Sequence, residues 1–174
     1  EEVEATNLNL IFDMTSYAAR ININPLEDME TEDEDILLWF SDKNAMYMVP
    51  VTRKVEELPA ELTERALLLL EELIKGPGGK YGLQQSFPAE TEVISLRIKD
   101  GVAEVDFNRA LIDNHWGGSA GEWVTLNSLV LTLTELPEID SVQLLVEGRR
   151  EKAAFGNSGT AVPLQRGVIN RINY

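Results

Sequence analysis

The sequence has no cysteine. That removes disulfides, thiol nucleophiles, thiolate metal sites and iron–sulfur clusters together. Its one histidine, His115, leaves room for a single imidazole base but not for a multi-histidine metal centre. No run approaches the ~18 apolar residues that a membrane-spanning helix needs. Basic side chains are scarce, 15 against 30 acidic ones, for a net charge of −15. Nucleic acid and anionic membranes repel such a chain unless a basic patch is segregated. The remainder is ordinary: 174 residues, 44% hydrophobic and 26% charged, enough for one globular domain with a core.

The charge divides the chain. Residues 1–35 hold eleven acids and one base, so −10 of the total lies there. The chain starts at Glu1 rather than Met, and an upstream segment is expected. The alternation at 7–12 suits a short strand. Seven acids crowd the nine positions 27–35. Like charges repel and little apolar surface offsets the cost of ordering, so 1–35 reads as an acidic segment or linker. A calcium site there would lack the glycine turn of an EF-hand loop.

From residue 36 the pattern becomes that of a folded domain. Residues 36–41 form an apolar run, a strand buried on both faces. Asp42-Lys43-Asn44 turns it into a second strand at 46–55, where Pro50 marks an edge. Residues 61–75 form a helix whose Leu62, Ala66, Leu69, Leu70 and Leu73 share one face. The run from Gly76 to Lys80 stops it; this is not a phosphate loop, which needs a preceding strand and a Gly-Lys-Ser/Thr helix start. Strands at 92–99 and 102–107 flank Asp100-Gly101, a hairpin turn. Val93, Ser95, Arg97 and Lys99 take one face of the third strand, and Ile94, Leu96 and Ile98 the other. Asn108 is placed to cap a helical stretch at 109–113. A second long helix spans about 121–135 with Trp123, Leu126, Asn127, Val130 and Leu133 on one stripe, and a fifth strand follows at 141–147. The order β-β-α-β-β-α-β predicts an α+β two-layer sandwich, a mixed sheet of about five strands with two main helices on one face.

Reactive chemistry is thinly spread. His115 lies between Asp113 and Ser119, but closeness in sequence is not a triad and no nucleophile elbow is present. Asp106 and Glu122 would need a shared cleft to act as a carboxylate pair. Asp106 is expected to point outward from its hairpin, and Glu122 to favour the first helical turn. The glycine-rich run at 117–121 could expose N–H groups to an anion, without a nearby lysine partner. Arg149, Arg150 and Lys152 form the basic cluster, which reads as solvated surface. Among the aromatics, Trp39 and Trp123 follow core periodicity, and Tyr47 lies in the second strand. Tyr81 and Trp116 lie in loops, where exposed aromatics mark contacts, and are the candidate contact residues. No catalytic residue, cofactor site or metal site is expected.

The ordered set of segments resembles the GerMN domain family of bacterial envelope proteins. The resemblance runs from Ile36 to about Asn170, roughly three-quarters of the chain. It is carried by Leu-Leu-Trp-Phe-Ser at 37–41, Val-Pro-Val-Thr-Arg at 49–53, and the helix ending in Gly76-Pro77. Phe87-Pro88 through Val93, the hairpin at 100–107, Gly118 to Glu122, 130–134, 142–148 and the tail at 163–170 complete it. The domain is therefore placed at 36–174. The resemblance implies a non-catalytic extracytoplasmic protein-interaction module in sporulation or spore germination. The implied partner is another exported envelope protein or a second copy, met at a sheet edge or helix face, with peptidoglycan or another glycan as the alternative. The implied location is the cell envelope, tethered as a lipoprotein through an upstream anchor.

Overall fold

The computed structural model describes residues 34–167 apart from 80, 81 and 157. They belong to the compact unit Asp33–Tyr174. The proposed strand at 7–12 and most of the acidic run lie outside the described residues.

Strand β1 (Glu34–Ser41) pairs antiparallel with β2 (Met48–Val55). Helix α1 (Leu62–Lys75) follows, then the hairpin β3 (Val93–Lys99) and β4 (Val102–Phe107). A single turn, α2 (Ala110–Asp113), leads into the long helix α3 (Gly118–Leu133). Strand β5 (Ser141–Val146) and the short β6 (Leu164–Gln165) complete the order. The class is α+β, as the sequence predicts.

The strands form two sheets rather than one. β1 and β2 stand as a pair, and β3-β4-β5-β6 form a mixed sheet in that order. The reason lies at the second edge of β1, where positions 39 and 41 are already engaged. There the Trp39 N–H donates to Thr132 Oγ1 of α3 at 3.0 Å. The Ser41 carbonyl accepts the Gln84 N–H at 2.8 Å. A helix side chain and a loop thus occupy the edge that would have continued the sheet. β6 is an extra strand, paired with β5, drawn from the tail.

The Asp100-Gly101 turn forms as expected, with φ of 51° and 75°. Two successive left-handed residues match the right-handed twist of a hairpin. Glycine is also needed for space, because a Cβ at Gly101 would sit 2.3 Å from Asp140 Oδ2. The Gly101 carbonyl accepts the N–H groups of Asp140 and Ser141, which launches β5 alongside β4. β4 and β5 are parallel, so α2 and α3 make the crossover.

The faces of β3 differ from their expected assignment. The register slips between Val93 and Ser95, leaving Ile94 as the extra residue of a bulge. Ile94 is 53% exposed, while Val93, Leu96 and Ile98 pack on the core. Asn108 also acts differently. Its side chain accepts the Glu92 N–H and donates to the Glu90 carbonyl, securing the entry to β3 instead of capping α2.

The main core joins Leu38 and Phe40 of β1, Leu70 and Leu73 of α1, Phe107 of β4, Leu129 of α3 and Leu144 of β5. Phe87, from the loop before β3, is fully buried and meets Phe107 at 5.8 Å between ring centres. A second cluster gathers Trp39, Met48 and Leu131, with Leu37 and Trp123 packed on it. β1 therefore buries both faces, as its apolar run predicts. Trp123 is only half-buried.

Candidate functional site

The segment between α2 and α3 carries His115 and Trp116 to the N-terminal end of α3. The Gly117 N–H donates to His115 Nδ1 at 3.1 Å. Nδ1 is thus an acceptor without a proton, which places the proton of the neutral ring on Nε2. Nε2 then donates to Thr125 Oγ1 at 2.9 Å, and Thr125 Oγ1 donates to the Ser86 carbonyl at 2.7 Å. Burial holds the His115 pKa below its ordinary 6.5, outweighing the upward pull of the Glu122 charge. The neutral ring and the hydrogen-bond directions agree.

The His115 ring stacks on Trp116, with ring centres 4.8 Å apart and planes 20° from parallel. Phe155 meets His115 on a tilted contact at 4.5 Å. Both rings lie close on the helix backbone at Gly121. A Cβ there would come 2.5 Å from Trp116 Nε1 and 3.3 Å from His115 Cε1. Trp116 nevertheless remains 47% exposed. It is a large apolar surface held in place from beneath.

Glu122, one residue further, is fully buried and accepts the Ser158 N–H at 2.7 Å. Thr160 closes the same loop by donating to the Glu151 carbonyl and accepting from the Ala154 N–H. Ser128 shares a 2.7 Å hydrogen bond with Ser86, and both are fully buried. Glu122, Thr125, Ser128 and Thr132 thus form a buried polar row on α3. Together they fasten β1, the loop at Ser86, the His115 segment and the 151–160 loop. Apolar periodicity alone does not reveal this row. Its signal is four polar residues spaced three or four apart in a helix otherwise rich in leucine and valine.

The other sequence candidates separate. Asp113 is exposed and pairs with Arg109 at 3.2 Å, and Ser119 is exposed. Both His115 nitrogens are engaged elsewhere, so Asp113, His115 and Ser119 do not assemble into a triad. Asp106 is buried instead of outward-facing, because the turn after β5 folds over it and Gly148 donates its N–H at 2.9 Å. Asp106 and Glu122 serve separate loops. Arg150 pairs with Glu104, and Arg149 and Lys152 are exposed. Gly76 ends α1, its N–H bonding to the Leu73 carbonyl. Tyr47 is half-buried in the turn before β2, where its N–H donates to Asp42. Burial raises the Asp42 pKa, but N–H groups of Tyr47, Met46 and Asn44 outweigh it and hold the carboxyl below its usual range. Tyr81 lies outside the described residues. Among the described residues, no group of three or more His, Asp or Glu side chains could hold a metal ion. No helix among them is long and apolar enough to cross a membrane.

Comparison with known proteins places this fold. Residues 37–152 match the family model named Germane, described as sporulation and spore germination. The spore germination protein GerM of Bacillus subtilis is 35% identical over 117 residues, which is 63% of this chain and 30% of that protein. The chain thus spans less than a third of that curated relative's length. The solved tandem GerMN domains of Bacillus subtilis GerM superpose with a TM-score of 0.63 at 27% identity, covering 85% of this chain and 51% of that one. The first GerMN domain alone gives 0.60 at 30% identity, covering 76% of this chain and 98% of that one. A candidate lipoprotein from Clostridium perfringens gives 0.57 at 25% identity, covering 77% and 88%. With the family model matching most of the described strands and helices, the chain belongs to the Germane family of sporulation and spore germination, and its folded unit is a GerMN domain.

Proposed function

We propose that the chain is a non-catalytic, extracytoplasmic protein-interaction module of the cell envelope in a spore-forming bacterium. Its membership of a sporulation and germination family supports the setting. The likeness to a candidate lipoprotein supports an envelope location with an upstream anchor. The observation that carries the reading is Trp116, about half exposed yet stacked on His115 and seated against Gly121. An indole already held in place loses little freedom when a partner covers it, so its apolar area converts efficiently into affinity. The residues beneath it are committed to structure, which fits a contact role better than a chemical one. The partner is another exported protein or a second copy.

A photo-crosslinking amino acid at position 116, with position 43 as an exposed control, tests this in sporulating cells. Adducts with one exported protein from position 116 alone are expected. Retention on purified cell wall, lost in Trp116→Ala and without a protein adduct, would instead select the glycan-binding reading. Neither adduct nor retention would overturn both.

A further inference from the structure

Strand β2 has one edge in the hairpin and another that, among the described residues, no strand covers. Trp39 stands opposite Pro50 in the register, and its N–H points away to Thr132. That makes 39/50 a non-hydrogen-bonded pair, and alternation makes 37/52 and 35/54 the same. The N–H groups of Thr52 and Lys54 therefore point outward from the hairpin. Pro50 offers none, so a guest strand could pair only with the 52–55 stretch.

A groove of about 540 Å³ runs beside this stretch, walled by the end of α1 and the turn at Gly76-Pro77-Gly78. The wall is tied to the strand, because Arg53 donates to the Glu72 carboxylate at 2.7 Å and to the Glu72 carbonyl at 2.8 Å. The lining includes Arg53, Lys54 and Lys75, and none of its residues is acidic. Glu72 lies behind, bonded to Arg53 and Lys75. Asp35 faces Lys54 from across the hairpin. Lys54 and Lys75 are exposed. Arg53 and Lys75 thus share the Glu72 charge, and among the described residues Lys54 is the lining cation with no ion pair, in a chain of net charge −15. The groove lined by Arg97, Lys99 and Arg150 differs, since Asp100 and Glu104 share it.

We infer that the β2 edge is a docking site for an extended acidic peptide segment of a partner protein, added as a short strand between β2 and the 76–78 turn. The inference rests on the reading of the chain as an interaction module and names the chemistry of the partner segment. Backbone pairing at Thr52 and Lys54 supplies the geometry, and the exposed ammonium of Lys54 selects an acidic side chain.

Amide hydrogen exchange on the full chain tests it, with a capped peptide of about six residues alternating valine with glutamate as the probe. The peptide is expected to slow exchange at Thr52 and Lys54, and a valine–lysine peptide is not. Lys54→Glu should weaken binding by about tenfold, the size of one lost charge-assisted contact. Thr52→Pro should do the same by removing an outward N–H; Lys54→Glu keeps the test valid if that variant misfolds. Equal binding of the lysine peptide, or unchanged exchange at both amides, would overturn the inference. So would amides already protected in the free chain, or protection that grows with protein concentration alone, since the groove would then hold this chain's own segment or a second copy. Crosslinking from position 116 is read in the chain without these substitutions, so failure here is distinguishable from failure of the module reading.

Discussion

Helices α1 and α3 are similar in length and opposite in design. α1 buries one stripe, Ala66, Leu69, Leu70 and Leu73, and leaves residues such as Glu71 in water. α3 is buried nearly all round, with Glu122, Thr125, Ser128 and Thr132 inside alongside the leucines. The first helix needs only hydrophobic burial to be placed. The second is also a hub, since its polar side chains anchor β1, the 86 loop, His115 and the 151–160 loop. Unpaired, those groups would be costly inside a protein; paired, they fix where the loops lie.

The largest expected effects should not separate the two helices. Leu70→Ala in α1 and Leu129→Ala in α3 both remove fully buried side chains. Each is expected to cost about 2–5 kcal/mol in urea unfolding. A much smaller loss at either position would mean that its packing is not as described. Glutamates should separate them. Glu122→Ala leaves the Ser158 N–H without its acceptor and is expected to cost about 1–3 kcal/mol. Glu71→Ala, on exposed surface, should stay within about 0.5 kcal/mol. Equal costs in thermal melts would break the contrast.

Acid should separate them more finely. Burial lowers the His115 pKa from 6.5, so the unfolded chain takes up a proton there more readily than the folded one. The stability tied to the neutral ring is complete above 6.5 and is lost as pH falls through and below that value. Protonation would also cost the Gly117 N–H its acceptor. Near α1, burial raises the Glu72 pKa, but Lys75 and Arg53 outweigh it and hold it below 4.5. Its contribution is present above 4.5 and is lost as pH falls further. Two acid-induced losses are expected in a pH series of unfolding curves. His115→Asn should remove the upper one and Glu72→Gln the lower.

The same contrast explains what the sequence disclosed. α1 was legible from its apolar spacing, down to its stop at Gly76, because burial on one face leaves a periodic trace. Asp100-Gly101 was legible because its backbone requirement is local. The bulge at Ile94 was not, since a one-residue slip depends on the partner strand. The buried state of Asp106 was not, because the group that satisfies it, Gly148, comes from a distant turn. Division into two sheets depended on Thr132 reaching the Trp39 N–H across 93 residues of sequence. At the candidate site, Trp116 could be singled out as a loop aromatic. Its support could not, because Gly121, Thr125 and Phe155 meet His115 and Trp116 only in the folded chain.

Thr125, within the polar row of α3, sets the position of Trp116 through the His115 ring. Fluorine NMR of protein carrying fluorotryptophan tests it most directly, with Trp39, Trp116 and Trp123 assigned by single Trp→Phe variants. Thr125→Val keeps the side-chain size and deletes the hydroxyl that accepts the His115 Nε2 proton. The Trp116 resonance is expected to shift or broaden while that of Trp39 stays in place. All three resonances unchanged in Thr125→Val would contradict it.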